Sequence, residues 1–105
     1  MVGSMNNDKT VCEEKKHLGG KMVKVCIKAG ENNVKGIIIT GDFFAEPEEK
    51  FDEIIRKLID LEAGLDDALT NTMNIFRNEN IKLYGISLED IEDVVKRAIT
   101  RLKRQ

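Results

Sequence analysis

The sequence predicts a small α+β protein, and three observations carry that expectation. Apolar residues alternate through two segments between residues 21 and 41, the period of half-buried strands. Three later segments repeat apolar residues at helical spacing. The resulting order, ββααα, separates strands from helices, which favours an antiparallel sheet packed with helices over a parallel α/β layout.

In "KMVKVCIK", Val23, Val25 and Ile27 alternate with Lys24, Cys26 and Lys28. "AGENN" supplies turn residues and "VKGIIIT" a second strand, so the pair forms a hairpin with a loop of about five residues. In the second strand Ile38 points to one face and Ile37 and Ile39 to the other, which calls for cover on both sides. Pro47 suits the first helical position and Glu48 and Glu49 a positive helix start. Phe51, Ile54, Ile55, Leu58 and Leu61 mark that helix's apolar face, and Gly64 can end it. A second helix is expected from Asp66 to about Arg77, with Leu69, Met73 and Phe76 inward. Its uncapped, Thr- and Asn-rich sequence makes it the weakest of the three. "NENIKLYG" is a connector with room for a short extended piece. Ser87 then caps a third helix with Asp90 three positions on, and Ile91, Val94, Val95, Ala98 and Leu102 form its stripe.

Residues 1–16 hold few large apolar groups and no sustained period, so a mobile arm is expected there, with a single folded domain over 17–105. "MVGS" ahead of a second Met reads as a cloning remnant at residues 1–4. A chain of 105 residues supports one modest core and no spare cleft of enzymatic depth. Charged residues make up 34% with both signs interspersed, and the net charge of −2 gives no general attraction to nucleic acid or anionic membrane. No apolar run approaches the ~20 residues of a membrane span and no secretory leader is visible, so a cytoplasmic protein is expected. A disulfide between Cys12 and Cys26 is possible on paper, but in that compartment free thiols are expected. Their spacing, with His17 as the single histidine, does not make a zinc set, so no metal site is expected.

Candidate chemistry is sparse. "HLGGKM" lacks the first glycine and the Ser or Thr of a phosphate-binding loop, since Lys15 and Met22 occupy those positions. It serves as a flexible entry to a strand, with Gly19, Gly20 and Lys21 open to close approach by an anion. His17 has no visible orienting partner for general-base work and fits a solvated or capping role. Asp42 follows a glycine at a strand end, where it can bond its own turn or supply a carboxylate to another molecule. Phe43 and Phe44 point apart on an extended chain, so one can enter the core while the other anchors a partner; both can also enter the core around a kink. The acidic start of the first helix and the basic C-terminus are explained by dipole complementarity. No catalytic site is self-sufficient here.

Taken together, "GGKMVKVCIK", "GIIITGDFFAEPEE" and "NIKLYGISLEDIEDVVKRAI" resemble the C-terminal accessory domain of lipoate–protein ligases over about residues 16–100. The resemblance implies a fold similar to sulfur-transfer and iron–sulfur scaffold domains. It also implies a non-catalytic small subunit of the two-chain, archaeal-type enzyme. The catalytic subunit would hold lipoate, ATP and magnesium and form lipoyl-adenylate, and the lipoyl group would pass to a lysine of a lipoyl-carrier protein. Carried onto this chain, the matched positions make His17, Gly19, Gly20, Lys21, Gly41, Asp42, Phe43 and Phe44 the expected partner-binding residues. Two rival classes remain: a scaffold or sulfur-carrier domain acting through Cys12 or Cys26, and a general interaction module.

Overall fold

Residues 8–104 are described by a computed structural model. The elements run β1 (Lys9–Lys16), β2 (Met22–Ala29), β3 (Asn33–Gly41), β4 (Phe44–Glu46), α1 (Glu48–Ile59), β5 (Ala63–Gly64), α2 (Ala68–Glu79), β6 (Lys82–Tyr84) and α3 (Leu88–Lys103). Four strands form an antiparallel sheet in the order β1-β2-β3-β5, and β4 pairs with β6 in a separate ribbon.

The alternation of β2 sets the layers. Val23, Val25 and Ile27 are buried with Val34, Ile37 and Ile39 of β3, forming the inner face of the sheet. α3 lies over β1 and β2, α1 lies over β3, and α2 packs against both helices. Ile91, Val94, Val95, Ala98 and Leu102 of α3 are buried, as are Ile54 and Leu58 of α1. Each such Val, Leu or Ile side chain contributes about 1.5–3 kcal/mol relative to exposure, so this two-layer contact dominates the stability. Gly36 lets α1 end against the sheet, because a Cβ there would lie 2.6 Å from the Ile59 carbonyl oxygen.

The N-terminal arm expected over residues 1–16 needs correction. Lys9–Lys16 is an edge strand in full register with β2, and the folded domain therefore begins before residue 17. Residues 1–7, including the expected cloning remnant, lie outside the described residues. An edge strand needs only one apolar side chain facing inward, here Val11, and its other anchors are remote in sequence. Arg101 donates to the Cys12 carbonyl at 3.0 Å and to Glu13, and Lys15 reaches Asp93 at 3.0 Å. Composition could not reveal partners that distant.

The expected free thiols also need correction: Cys12 and Cys26 are opposed across β1 and β2 and joined in a disulfide. Once β1 is a strand in this register the two cysteines face each other, a proximity that fourteen residues of sequence separation concealed.

Smaller boundaries moved for local reasons. Pro47 is the N-cap of α1 and not its first helical residue. Gly64 does not end α1, which stops at Ile59; Ala63–Gly64 instead pairs with Asn33 and Val34 at the free edge of β3. α2 begins at Ala68, without a side-chain cap, and ends at Asn80 in the left-handed conformation. Its buried Thr72 hydroxyl donates to the Ala68 carbonyl at 2.8 Å, removing an unpaired polar group from the core. The extended piece in "NENIKLYG" is β6, and Ser87 with Asp90 completes a reciprocal capping box at the start of α3. Among the described residues no helix is long and apolar enough to cross a membrane.

Candidate functional site

Three chain segments meet at one end of the sheet: the β1–β2 turn, the exit of β3, and the connector from β6 into α3. The turn is closed by Gly20 donating to the His17 carbonyl at 2.7 Å and by His17 donating to the Lys21 carbonyl at 2.8 Å. Gly19 has a φ of 68°, in the left-handed region that favours glycine. Lys21 then donates its backbone N–H to the Gly85 carbonyl at 3.0 Å, which ties the turn to the third segment.

Glycines make this approach possible. A Cβ on Gly20 would sit 2.6 Å from the Gly85 oxygen, and one on Gly85, whose φ is 94°, would sit 2.5 Å from Lys21 Cγ. A Cβ on Gly41 would press into the Met22 carbonyl and the Phe43 ring. Gly20, Gly41 and Gly85 are thus contact points between segments.

Asp42 is exposed, and its carboxylate is not confined to bonds within its own turn. Its Oδ1 accepts the Met22 backbone N–H at 2.7 Å, while its own N–H donates to the Met22 carbonyl at 3.3 Å. The carboxylate thus extends the β2–β3 pairing past the last ladder residue. The Met22 N–H bond holds its pKa below the usual carboxylate range against the opposing effect of desolvation; its own backbone N–H and Lys21 and Lys16 act in the same direction as Met22.

His17 does have an orienting partner: its Nδ1 bonds the Asp90 carboxylate. Asp90 is buried, with its Oδ2 accepting the Ser87 N–H at 2.9 Å and its Oδ1 3.0 Å from Lys15 Nζ. Burial acts to raise the Asp90 pKa. The Ser87 backbone, Lys15 and His17 together overcome that and hold it well below the ordinary range. The Lys15 ammonium is correspondingly stabilised in its charged form by Asp90 first and Asp93 second. One carboxylate therefore caps α3 and fastens both β1 and the β1–β2 turn to it.

The two phenylalanines divide their roles. Phe43 is half-buried and meets Phe51 of α1 edge-on, with ring centroids 5.7 Å apart. Phe44 is 68% exposed and stands opposite Tyr84 in the β4–β6 ribbon. Leu18 at the turn tip is 97% exposed. Beside Phe44 an open hollow of about 720 Å³ is rimmed by Glu46, Glu48, Glu49 and Asp52. The end of the sheet thus carries a rigid polar lock with exposed apolar groups around it.

The eight sequence-predicted positions lie on two of these segments, His17, Gly19, Gly20 and Lys21 at the β1–β2 turn and Gly41, Asp42, Phe43 and Phe44 at the exit of β3, and the Asp42–Met22 bonds tie the two together. Sequence reasoning missed three contributors. Tyr84 lay in a connector, but as the chain's only tyrosine beside a glycine it was a visible signal. Leu18 lay between better-known motif residues. Asp90 was read as a cap alone, and nothing in its spacing points to Lys15 or His17. The described residues contain no group of three or more His, Cys, Asp or Glu able to hold a metal.

The structure thus defines a small α+β domain, a four-stranded antiparallel sheet with three helices and an accessory β-ribbon. No family model and no curated protein matches the chain. A solved structure does share its fold: a chain from an archaeal lipoylation system of Thermoplasma acidophilum, comprising a bi-partite lipoate protein ligase and its E2 lipoyl domain. The two chains superpose with a TM-score of 0.67 and 20% identity, over 84% of this chain and 96% of that one.

Proposed function

We propose that this chain is the accessory subunit of a two-chain lipoate–protein ligase. Its partner holds lipoate and ATP with magnesium and forms lipoyl-adenylate. The lipoyl group then moves to a lysine of a lipoyl-carrier protein. The supporting observation is the shared fold over nearly the whole of a chain from a bi-partite ligase system, which agrees with the sequence motifs that converge on one exposed end.

The chemistry fits a helper. Adenylation of a carboxylate needs stabilised phosphate charge and exclusion of water from a reactive mixed anhydride. A rigid domain contributes by docking on the catalytic subunit and ordering its loops. The Gly41–Phe44 exit and the His17–Lys21 turn form the docking end, with Phe44 as the apolar anchor and Lys21 facing the anionic substrates. Asp42 acts within the chain, holding β2 to the turn.

The test combines the full chain with the catalytic subunit, lipoate and Mg-ATP and follows lipoyl-adenylate. Formation should depend on this chain, and a rate that is the same with and without it would sink the proposal. Phe44→Ala should weaken association about tenfold or more while leaving the circular dichroism of the isolated chain unchanged.

A further inference from the structure

Most of the outer face of the sheet is solvent-facing, and its centre holds the Cys12–Cys26 disulfide. Cys12 is exposed and Cys26 half-buried. Exposed disulfides are the exchangeable ones, because exchange requires a thiolate to reach a sulfur. On its β3 side, Cys26 borders a hollow of about 340 Å³ shared with Lys28, Lys35, Ile38 and Ile59. Ile38 and Ile59 are 50% and 47% exposed, so the hollow offers aliphatic surface that the other described residues do not cover fully. Lys28 and Lys35 approach Asp8 at 3.6 and 3.0 Å, yet their side chains keep 57% and 44% of their exposure. Aliphatic contact, two ammonium groups and an accessible sulfur lie within one recess.

We propose that this recess is a thiol–disulfide exchange site for a small aliphatic dithiol bearing a carboxylate. The aliphatic chain packs on Ile38 and Ile59, the carboxylate meets Lys28 and Lys35, and a ligand thiolate attacks Cys26 Sγ. The Cys12–Cys26 bond breaks as the ligand–Cys26 bond forms, and Cys12 leaves as a thiolate that takes a proton from water. The second ligand thiolate then attacks the sulfur bonded to Cys26. The ligand closes to a cyclic disulfide, and Cys26 leaves as a thiolate beside Lys24 and Lys28, cations that favour that form. Two electrons pass from ligand to protein, and the two protons the ligand thiols lose to solvent are balanced by those the cysteines gain. Reduced lipoic acid belongs to this ligand class, but the inference rests on the recess and not on the proposed ligase role.

The experiment uses the full oxidised chain and two reductants, dihydrolipoate and the uncharged, hydrophilic dithiothreitol. Rates of thiol appearance are normalised to those of the same reductants on oxidised glutathione. The expected result is a preference of about tenfold or more for dihydrolipoate, falling towards unity in Ile38→Glu and in the Lys28→Glu, Lys35→Glu double variant. These positions are exposed, and unchanged circular dichroism would verify that the variants fold. Trapping should follow the same geometry: Cys12→Ala, given the symmetrical disulfide of an aliphatic mercaptocarboxylate, should form a mixed disulfide at Cys26 and release one thiol, because that ligand has no second thiol with which to close a ring. Equal normalised rates for the two reductants overturn the proposal, as does a native chain purified without reductant that carries two free thiols. The lysine variants should still support lipoyl-adenylate formation, so loss of exchange and loss of the ligase role are read separately.

Discussion

Two regions of β3 are built by different physics. In its middle, Ile37 and Ile39 are buried beneath the helices while the intervening Ile38 stands half exposed on the other face. At its end, Gly41 and Asp42 are held by backbone contact and a carboxylate hydrogen bond, with almost no apolar burial. The middle is stabilised by area removed from water, which tolerates approximate shapes. The end depends on close approach of backbones, which tolerates little. The comparison teaches that the exposed end of the sheet is positioned by local geometry and is stabilised by the core only indirectly.

The sharpest break of this comparison lies within the isoleucine run. Ile37→Ala should cost about 2–5 kcal/mol, because it opens a cavity in a packed layer. Ile38→Ala should cost less than about 1 kcal/mol, as for other half-exposed positions. Urea unfolding of the free chain measures both. Equal losses would mean that the outer face is covered in solution, as expected from the apolar character of both faces in the sequence.

Gly41→Ala tests the other region and should have the next largest effect. Its methyl group would push on the Met22 carbonyl and the Phe43 ring, so β2 and the turn must separate. A loss of about 1–3 kcal/mol is expected from the displaced hydrogen bonds. Docking should suffer more than stability suggests, because Phe44 is aimed by the same turn. Thr40→Ala, one residue earlier and exposed, is the control and should leave both unchanged. A Gly41→Ala chain that docks normally would show that the turn's geometry is not what presents Phe44.

How much of this could be read from sequence follows the same division. The inward set Val23, Val25 and Ile27, the stripe of α3 and the Ser87 cap were legible because period and capping are local signals. β1 was not, since "KTVCEEKK" offers only Val11 to the core and depends on Arg101, Lys15 and a disulfide for its place. Gly64 was assigned to a helix end because a left-handed cap is local, whereas its pairing with Asn33 is tertiary. At the site, the motif residues were legible individually. Their convergence on Gly85, and the exposure of Phe44 and not Phe43, required the fold.

The smallest effect, and the one that joins the two regions, concerns Asp90. This carboxylate caps a core helix and also holds His17 of the β1–β2 turn. Asp90→Asn keeps a side-chain oxygen for the Ser87 N–H but removes the charge that Lys15 and His17 meet. A loss of about 1 kcal/mol near neutral pH is expected, comparable to losing a helix cap. The folded protein holds the Asp90 pKa below its unfolded value of about 3.9. Its charge therefore stabilises the fold above roughly pH 4, and that contribution disappears as pH falls towards the lowered folded value. Asp8, Asp42, Asp66 and Asp93 are also lowered but remain in both proteins; Asp93 shares Lys15 with Asp90, so the difference reports Asp90 together with that linked pair. Denaturation from about pH 7 down to about pH 2 should show the gap between wild type and Asp90→Asn narrowing as the solution becomes acidic. A gap independent of pH would assign the loss to shape alone and remove the charge from the link between α3 and the β1–β2 turn.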